Sequence, residues 1–442
     1  MTAKVATGVS KLFIANRGEI ARRIAMTAGR MGIPTVAICQ GRHPPQYLQG
    51  VLSEFYPVEE ENTALYLDAD KMIAAAKESG CDSLHPGFGF LSENDRFADQ
   101  VTASGLNWVG PSSQAIAAMA SKAKARDLAV KAGVPVLQGL QGFSVPEDDG
   151  GDFSELETFA AKVGYPLLMK AAFGGGGKGM RIVRREAELK PSALRAFSEA
   201  KSSFGDGTLI CEQYLDNPRH VEVQIVADRH GNVVAVGDRD CSVQRRHQKI
   251  IEEAPAPHIS ADVRSEMHRA AVNLAAEVGY NNAGTVEYLL TTKADGSQQF
   301  YFLEMNTRLQ VEHTVTEEVF DQDLVEWQLR IARGEALPAD WQPMPRGHSF
   351  EVRLYGEDPE QNFLPTPGPV PLFRPAYGPG VRWEVGLDSP GEITGKFDPM
   401  FAKLVVTGPN RVSALDRLAQ CLLQTGFCGS TTNIPLLHYI VT

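Results

Sequence analysis

Apolar positions follow two rhythms along this chain. KLFIA (11–15) is a short apolar run, NRGE reads as a turn, and IARRIAMTAGRMG then spaces small and apolar residues as a helix does before PTVAIC resumes an apolar run. Gly32 stands just past the last helical turn as a C-cap, and Pro34 stops the helix from continuing. A second helix over 70–77 leads into CDSLHPGFGF. Strands that alternate with helices predict a Rossmann-like parallel sheet, ending near Gly110-Pro111.

The pattern then changes. Residues 112–132 read as one helical stretch, closed by Gly133-Val-Pro135. PEDDGGD (146–152) is a polar boundary loop. After it come a strand (YPLLMKAA), the loop FGGGGKG, a strand (MRIV) and a helix near 186–204. From LICEQYL (209–215) the pattern is mainly antiparallel strand, with helices near 260–279 and 315–334 and short strands from 348 onward. The expected division is a Rossmann-like unit at 1–110, a helical linker at 111–140, a unit carrying the glycine loop at 141–212, and a mainly antiparallel unit at 213–442. The fold class is therefore mixed, α/β followed by α+β.

Composition narrows the partners. Of 442 residues 43% are hydrophobic, enough apolar surface to offset the entropy of ordering, and no run reaches the roughly 18 residues of a membrane span. The net charge of −11 argues against nucleic acid, which asks for a broad cationic surface, but leaves room for a small anionic substrate held by local lysines and arginines. Six cysteines without CxxC or zinc spacing read as reduced thiols, so a cytoplasmic setting is expected. The first ten residues show neither a secretory h-region nor an Arg-rich transit pattern.

Three segments carry chemistry. The glycines of FGGGGKGM (173–180) remove every Cβ, so backbone N–H groups at Gly175, Gly176 and Gly177 can close around an anion. Gly179 after Lys178 excludes a P-loop, and a phosphate-contacting hairpin tip is expected. Lys170, at the end of the apolar LLMK, either snorkels or meets a ligand phosphate.

The second segment is 284–312. If Asp295-Gly296 is a two-residue hairpin turn, Glu287 and Glu304 face each other with Cβ atoms about 5 Å apart. Two carboxylates so placed repel by about 3 kcal/mol at an effective dielectric near 20, and a divalent cation relieves it. Oxygen-only ligands suit Mg²⁺ or Mn²⁺ shared with substrate phosphates. Continued alternation would put Glu304, Asn306, Arg308, Gln310 and Glu312 on one face as an active-site floor, with Leu303, Met305, Leu309 and Val311 on the other. Thr314-x-x-Glu317 then reads as a capping box.

The third is DRDCSVQRRHQK (238–249). It is either a solvated basic turn neutralised by Glu252 and Glu253, or a small anion site.

Taken together, ANRGEIA, HPGFGFLSEN, FGGGGKGM, NPRHVEVQ, DRDCSVQRRHQKIIEEAPAP, EMNTRLQVEHTVTE and KFDPMFAKL resemble the biotin carboxylase domain of biotin-dependent carboxylases, in the ATP-grasp superfamily, from about residue 11 to the end. The resemblance implies an N-terminal Rossmann-like domain, an ATP-grasp lid at 141–212, and an ATP-grasp core with a C-terminal domain after it. The implied reaction is ATP-dependent carboxylation of biotin by bicarbonate through carboxyphosphate. The implied ATP contacts are Lys122, Lys170, the glycine loop, Glu212, Leu215, His220, Gln244 and His247. The metal would be held by Glu287, Glu304 and Asn306. Lys249, Arg308, Gln310, Val311 and Glu312 would form the bicarbonate pocket, with Glu312 as general base and Arg353 stabilising the biotin enolate. Partners would be a biotin carboxyl carrier and a carboxyltransferase. Another ATP-grasp ligase, with an amine acceptor, or a non-catalytic scaffold are the competing readings.

The chain departs from the family pattern at Phe88 (usually Tyr), at Gln213, over 41–58 and 386–399, and at Met26 and Arg30 on the first helix, where the pair common in bacterial homodimers is absent. It ends before the family's usual domain end and has no biotin-acceptor motif, so it is expected to be one part of a larger carboxylase, subunit or domain.

Overall fold

Leu12, Phe13 and Ile14, all fully buried, form β1 (Leu12–Ile14), the middle strand of a five-stranded sheet. The computed structural model describes residues 8–143, 145, 151–171 and 180–442. β2 (Thr35–Gln40), β3 (Glu54–Val58), β4 (Ser83–His85) and β5 (Asn107–Trp108) complete the sheet in the order β3-β2-β1-β4-β5. Every pairing is parallel. The central strands of such a sheet are buried on both faces, which is why they read as unbroken apolar runs. α1 (Gly18–Arg30) connects β1 to β2 and buries Ile20, Ala21, Ile24, Ala25 and Ala28. Gly32 takes a φ of 72° beyond its end, the left-handed conformation that a C-cap glycine supplies.

Two expected helices are each broken in two. The stretch 112–132 is Ser113–Ala120 and Lys122–Lys131, separated by Ser121, whose extended dihedrals and side-chain oxygen cap the second helix. The stretch near 315–334 is His313–Phe320 and Leu324–Ala332; Asp321 turns left-handed at φ 52°, and Asp323 accepts from the Glu326 N–H at 2.9 Å. Short polar side chains compete with the helical backbone for hydrogen bonds, and apolar periodicity does not register that.

β6 (Gly139–Phe143), β7 (Leu167–Ala171), β8 (Arg181–Val183) and β9 (Leu209–Gln213) form an antiparallel sheet in the order β6-β9-β7-β8. It packs on the helices Ser154–Val163 and Leu189–Phe204 around Leu167, Met169, Val183 and Leu209. The phosphate contact expected of Gly175, Gly176 and Gly177 lies outside the described residues.

The largest sheet has eight strands, all antiparallel. It contains β10 (Arg219–Ala227), β11 (Val233–Arg245), β12 (Gln248–Ala254), β13 (Asn282–Thr292), β14 (Gln298–Asn306) and β15 (His348–Tyr355). Their order is β14-β13-β10-β11-β12-β15, followed by the strands Met400–Gly408 and Val381–Val385. Val221, Val223, Val286, Tyr288, Phe302 and Met305 share one core with the helix Ala261–Val278. Each such side chain removed from water contributes about 1.5–3 kcal/mol. A slip of one residue would turn carboxylates into that core, so the apolar face fixes the register of the polar one. Among the described residues no helix is long and apolar enough to cross a membrane.

His85, at the end of β4, is fully buried and tied to the turn that follows it. The Gly87 N–H donates to its Nδ1 at 2.9 Å, which leaves Nε2 to donate to the Gln328 side-chain oxygen at 3.1 Å. Gly87 is required here: its φ is 64°, and a Cβ would stand 2.8 Å from the Asn16 side-chain nitrogen. Burial pushes the His85 imidazole down to about 4 from the ordinary 6.5. A depressed histidine adds stability that is present above 6.5 and lost as pH falls through 4, on the order of 3 kcal/mol. Buried Glu19, pushed up to about 7, has the opposite slope, losing stability as pH rises from 4.5 through 7. Comparing the wild type with His85→Asn isolates the first effect. The stability difference in urea should be largest above pH 6.5 and shrink toward pH 4; a difference that stays constant with pH would refute it.

Candidate active site

The acidic hairpin forms, by a route the sequence conceals. Glu287 pairs directly with Glu304, as expected. The turn is not the two-residue Asp295-Gly296, however. The Lys293 N–H donates to the Ser297 carbonyl at 2.8 Å and the Gly296 N–H to the Lys293 carbonyl at 2.9 Å, so Ala294, Asp295 and Gly296 make a three-residue loop, with Gly296 left-handed at φ 84°. That loop sets the pairing one residue off, with Leu290 opposite Phe300. A bulge at Leu303 restores the register before Glu304. Leu303, expected on the apolar face, is the bulged residue and is 40% exposed.

The pair belongs to a longer row. Across four neighbouring strands Glu304 faces Glu287, Glu287 faces Glu222, and Glu222 faces Arg239. Arg239 is fully buried and donates to Glu222 Oε1 at 2.5 Å. It also reaches Gln224 and Thr316 from Nη1, and Gln310 from Nη2, at 2.8–2.9 Å. From β12, Lys249 Nζ enters between three carboxylates: Glu222 at 2.6 Å, Glu287 at 2.8 Å and Glu312 at 2.6 Å. His220 Nε2 lies 2.8 Å from Glu287 Oε2, and Gln244 Nε2 lies 3.3 Å from His220 Nδ1.

The expected floor of five alternating residues holds only for Glu304 and Asn306, because β14 ends there. Arg308, Gln310, Val311 and Glu312 arrive by a loop that folds back over the row. Gln310 Nε2 donates to Glu287 Oε1 at 2.7 Å. Arg308 Nε donates to Glu93 at 3.0 Å and Nη2 to Asn306 Oδ1 at 3.1 Å. Glu312, the N-cap residue of the helix His313–Phe320, accepts from Lys249 on one oxygen and from Arg353 Nη2, at 3.0 Å, on the other. Arg353 Nε donates to Glu252 at 2.6 Å. No capping box forms: the Thr314 hydroxyl bonds Glu351, and Glu317 accepts from Arg23, Arg382 and the Leu324 N–H.

The basic segment 238–249 is not a solvated turn. Arg239 is interior, and Arg245 donates to Glu357 at 2.7 Å. Glu252 and Glu253, expected to neutralise that turn, serve Arg353 and the pair Arg411 and His348 instead. Of the segment's basic residues, Arg246 and His247 sit at the exposed hairpin tip, and His247 makes no hydrogen bond or ion pair among the described residues. Lys170 pairs with Glu212 at 2.5 Å across β7 and β9. Leu215 follows β9, half-buried, and Lys122 is exposed at the start of its helix, close enough for its charge to act on Glu304.

The charges set one another. Burial opposes ionisation of Lys249, but Glu222, Glu312 and Glu287 outweigh it and hold its pKa well above the ordinary value. Glu312 is held well below the carboxylate range against burial by Lys249 and Arg353, and Glu287 is lowered against burial by Lys249 and His220. Glu304 moves the other way, raised by desolvation and by the charge of Glu287. It makes no hydrogen bond or ion pair among the described residues.

That unpartnered carboxylate tests the metal reading. Two acids pair across neighbouring strands, one of them has no partner among the described residues, and both offer hard oxygen atoms, which suits Mg²⁺ or Mn²⁺. Glu287 and Glu304 fit. Asn306 lies beside them, donating its amide N–H to Glu287 Oε1 at 2.8 Å and accepting from Arg308 on its Oδ1 at 3.1 Å.

Sequence reasoning missed Glu222, Arg239 as a buried centre, and Glu93. A signal was available for Glu222: in RHVEVQ the polar His220, Glu222 and Gln224 alternate with valines. Glu93 lies 215 residues before Arg308, and only the tertiary fold joins them.

Family models cover the chain in three segments. Residues 8–116 match the biotin carboxylase N-terminal domain, 121–340 the carbamoyl-phosphate synthase L chain ATP-binding domain, and 351–442 the biotin carboxylase C-terminal domain. The chain is 47% identical to the mitochondrial methylcrotonoyl-CoA carboxylase subunit alpha of Dictyostelium discoideum over 98% of its own length and 61% of that subunit. It is 44% identical to the biotin carboxylase of Halalkalibacterium halodurans over 98% of its length and 93% of that protein. It superposes on the biotin carboxylase domain of Hydrogenobacter thermophilus 2-oxoglutarate carboxylase, solved with MgADP and bicarbonate, with a TM-score of 0.87 at 38% identity, covering 98% of this chain and 94% of that one. The chain thus spans about three-fifths of the methylcrotonoyl-CoA carboxylase subunits that it matches.

Proposed function

The chain belongs to the biotin carboxylase family, and on that premise we propose that this cleft carries out ATP-dependent carboxylation of biotin by bicarbonate. The observation that carries the proposal is the convergence on Glu312 of two cations, Lys249 at 2.6 Å and Arg353 at 3.0 Å, beside the acidic pair Glu287 and Glu304.

In the resting site each cation is satisfied internally: Lys249 and Arg353 by Glu312, Arg308 by Glu93. An incoming anion takes these partners over. Bicarbonate held by Lys249 and Arg308 gives its proton to Glu312, which becomes more basic as the cations leave it. The freed oxygen attacks the γ-phosphorus of ATP, the bond to the bridging oxygen breaks, and ADP and carboxyphosphate form. Positioning and charge compensation do most of this work. Glu287, Glu304 and Asn306 would hold Mg²⁺ or Mn²⁺, which would offset the triphosphate charge. Carboxyphosphate decays to CO₂ and phosphate beside biotin. The phosphate takes the ureido proton, and Arg353 stabilises the oxyanion while nitrogen attacks CO₂.

We assign the nucleotide to Lys122, Lys170, the loop at Gly175–Gly177, Glu212, Leu215, His220, Gln244 and His247, under a lid at 141–212. Gln310 and Val311 complete the anion pocket. The partners are a biotin carboxyl carrier and a carboxyltransferase, as domains or subunits. The relatives' names support an acyl-CoA as final acceptor, and the six free cysteines support a cytoplasmic setting. The deciding assay measures ADP release with MgATP, bicarbonate and free biotin. Release should require bicarbonate and rise with biotin; release indifferent to bicarbonate sinks the proposal.

A further inference from the structure

The loop 308–312 is held from behind by a group to which the reaction above gives no role. Lys403, in the strand Met400–Gly408, is fully buried, and its Nζ donates to the Val311 carbonyl at 2.5 Å. An ammonium has three donors and is rarely buried without partners. Here it also faces Glu19 at 3.4 Å and Glu351 at 3.6 Å. Glu19 lies in the first turn of α1, and Glu351 on β15 accepts from Thr314 in the helix that follows Glu312. One side chain therefore ties the Val311 backbone to three elements far apart in sequence.

Its neighbours make the arrangement more telling. Lys403 stands directly opposite Arg353 in the sheet. Gln310 accepts from Arg239, Val311 from Lys403, and Glu312 from Arg353 and Lys249. Three successive residues of the pocket are each gripped by a buried cation. Were Lys403 present only to neutralise Glu19 and Glu351, its shortest contact would be to a carboxylate. It is to a neutral carbonyl, and for stability alone an apolar group is often as good as a buried ion pair.

We propose that Lys403 is a positioning residue of the anion pocket, fixing the Val311 carbonyl and through it the aim of Gln310 and Glu312 at bicarbonate. The inference rests on the biotin carboxylase reading of the site. Its test varies bicarbonate and ATP separately in wild type, Lys403→Met and Lys403→Gln. Loss of one charge-assisted hydrogen bond should raise the bicarbonate KM of Lys403→Met about tenfold or more, while the ATP KM stays within about twofold. Lys403→Gln, which keeps an N–H donor, should recover part of the loss. A wild type with no bicarbonate-dependent turnover overturns the functional reading and this inference with it. A responsive wild type beside a Lys403→Met with unchanged bicarbonate KM, or with both KM values moved alike, overturns the inference alone. If Lys403→Met does not fold, Glu19→Gln/Lys403→Met removes the nearer of the two carboxylates left without that cation and carries the same measurements. Failure of both to fold would assign Lys403 to folding and also overturn the inference.

Discussion

Glu304→Gln should lower bicarbonate-dependent MgATP turnover by about a thousandfold while leaving the fold intact. The carboxylate makes no hydrogen bond or ion pair among the described residues, and Glu287 opposite it already pushes its pKa up. Removing its charge relieves that repulsion, so thermal unfolding should shift by little. The side chain is exposed, although the cleft around it desolvates its charge, and surface substitutions usually fall within about 0.5 kcal/mol. The cost falls on the cation. A unit charge about 4 Å away at an effective dielectric of 20 is worth roughly 4 kcal/mol, close to three powers of ten. Raising Mg²⁺ or substituting Mn²⁺ should restore part of the rate, since the variant binds the ion weakly rather than not at all. Turnover and metal dependence equal to the wild type would show that the hairpin acids hold no catalytic cation.

How far the sequence discloses this site depends on how local each cause is. The parallel strands were legible because burial on both faces leaves an unbroken apolar run at KLFIA and PTVAIC. The pairing of Glu287 with Glu304 was legible too, but two errors cancelled: the loop holds one residue more than Asp-Gly suggests, and the bulge at Leu303 takes it back. The polar floor beyond Asn306 does not continue as an extended strand, because β14 ends there. Alternation is a rule about extended chain, and Gln310 and Glu312 return to the row through tertiary contacts with Arg239, Lys249 and Arg353. Glu222 was passed over although its strand alternates cleanly, because a single acid among valines has no local partner to betray it. Among the site residues, what stayed hidden was a partner brought from elsewhere in the fold, Glu93 from the turn after β4 and Glu222 from β10.

Lys249→Met tests the centre of that partnership and should damage both stability and chemistry. One ammonium separates Glu222, Glu287 and Glu312 at 2.6–2.8 Å. Breaking a buried ion pair from one side costs about 3–5 kcal/mol, because the charges left behind are unpaired. The pH dependence has a defined sign. In the wild type Glu287 and Glu312 have lowered pKa values, so they add stability above about pH 4.5 that is lost as pH falls through their folded values. Without Lys249 the same burial and mutual repulsion raise them, and stability is then lost as pH rises. The gap between wild type and variant in urea midpoint should therefore widen from pH 5 to pH 8. Lys249→Arg should not rescue, since a planar guanidinium cannot occupy the point between three carboxylates that a compact ammonium fills. Bicarbonate-dependent turnover should drop at least about a hundredfold, while nucleotide affinity is largely kept, because Glu287, Glu304 and the Lys170–Glu212 pair remain. A variant with a pH-independent stability gap and normal bicarbonate response would mean that Lys249 neither organises these acids nor meets the anion.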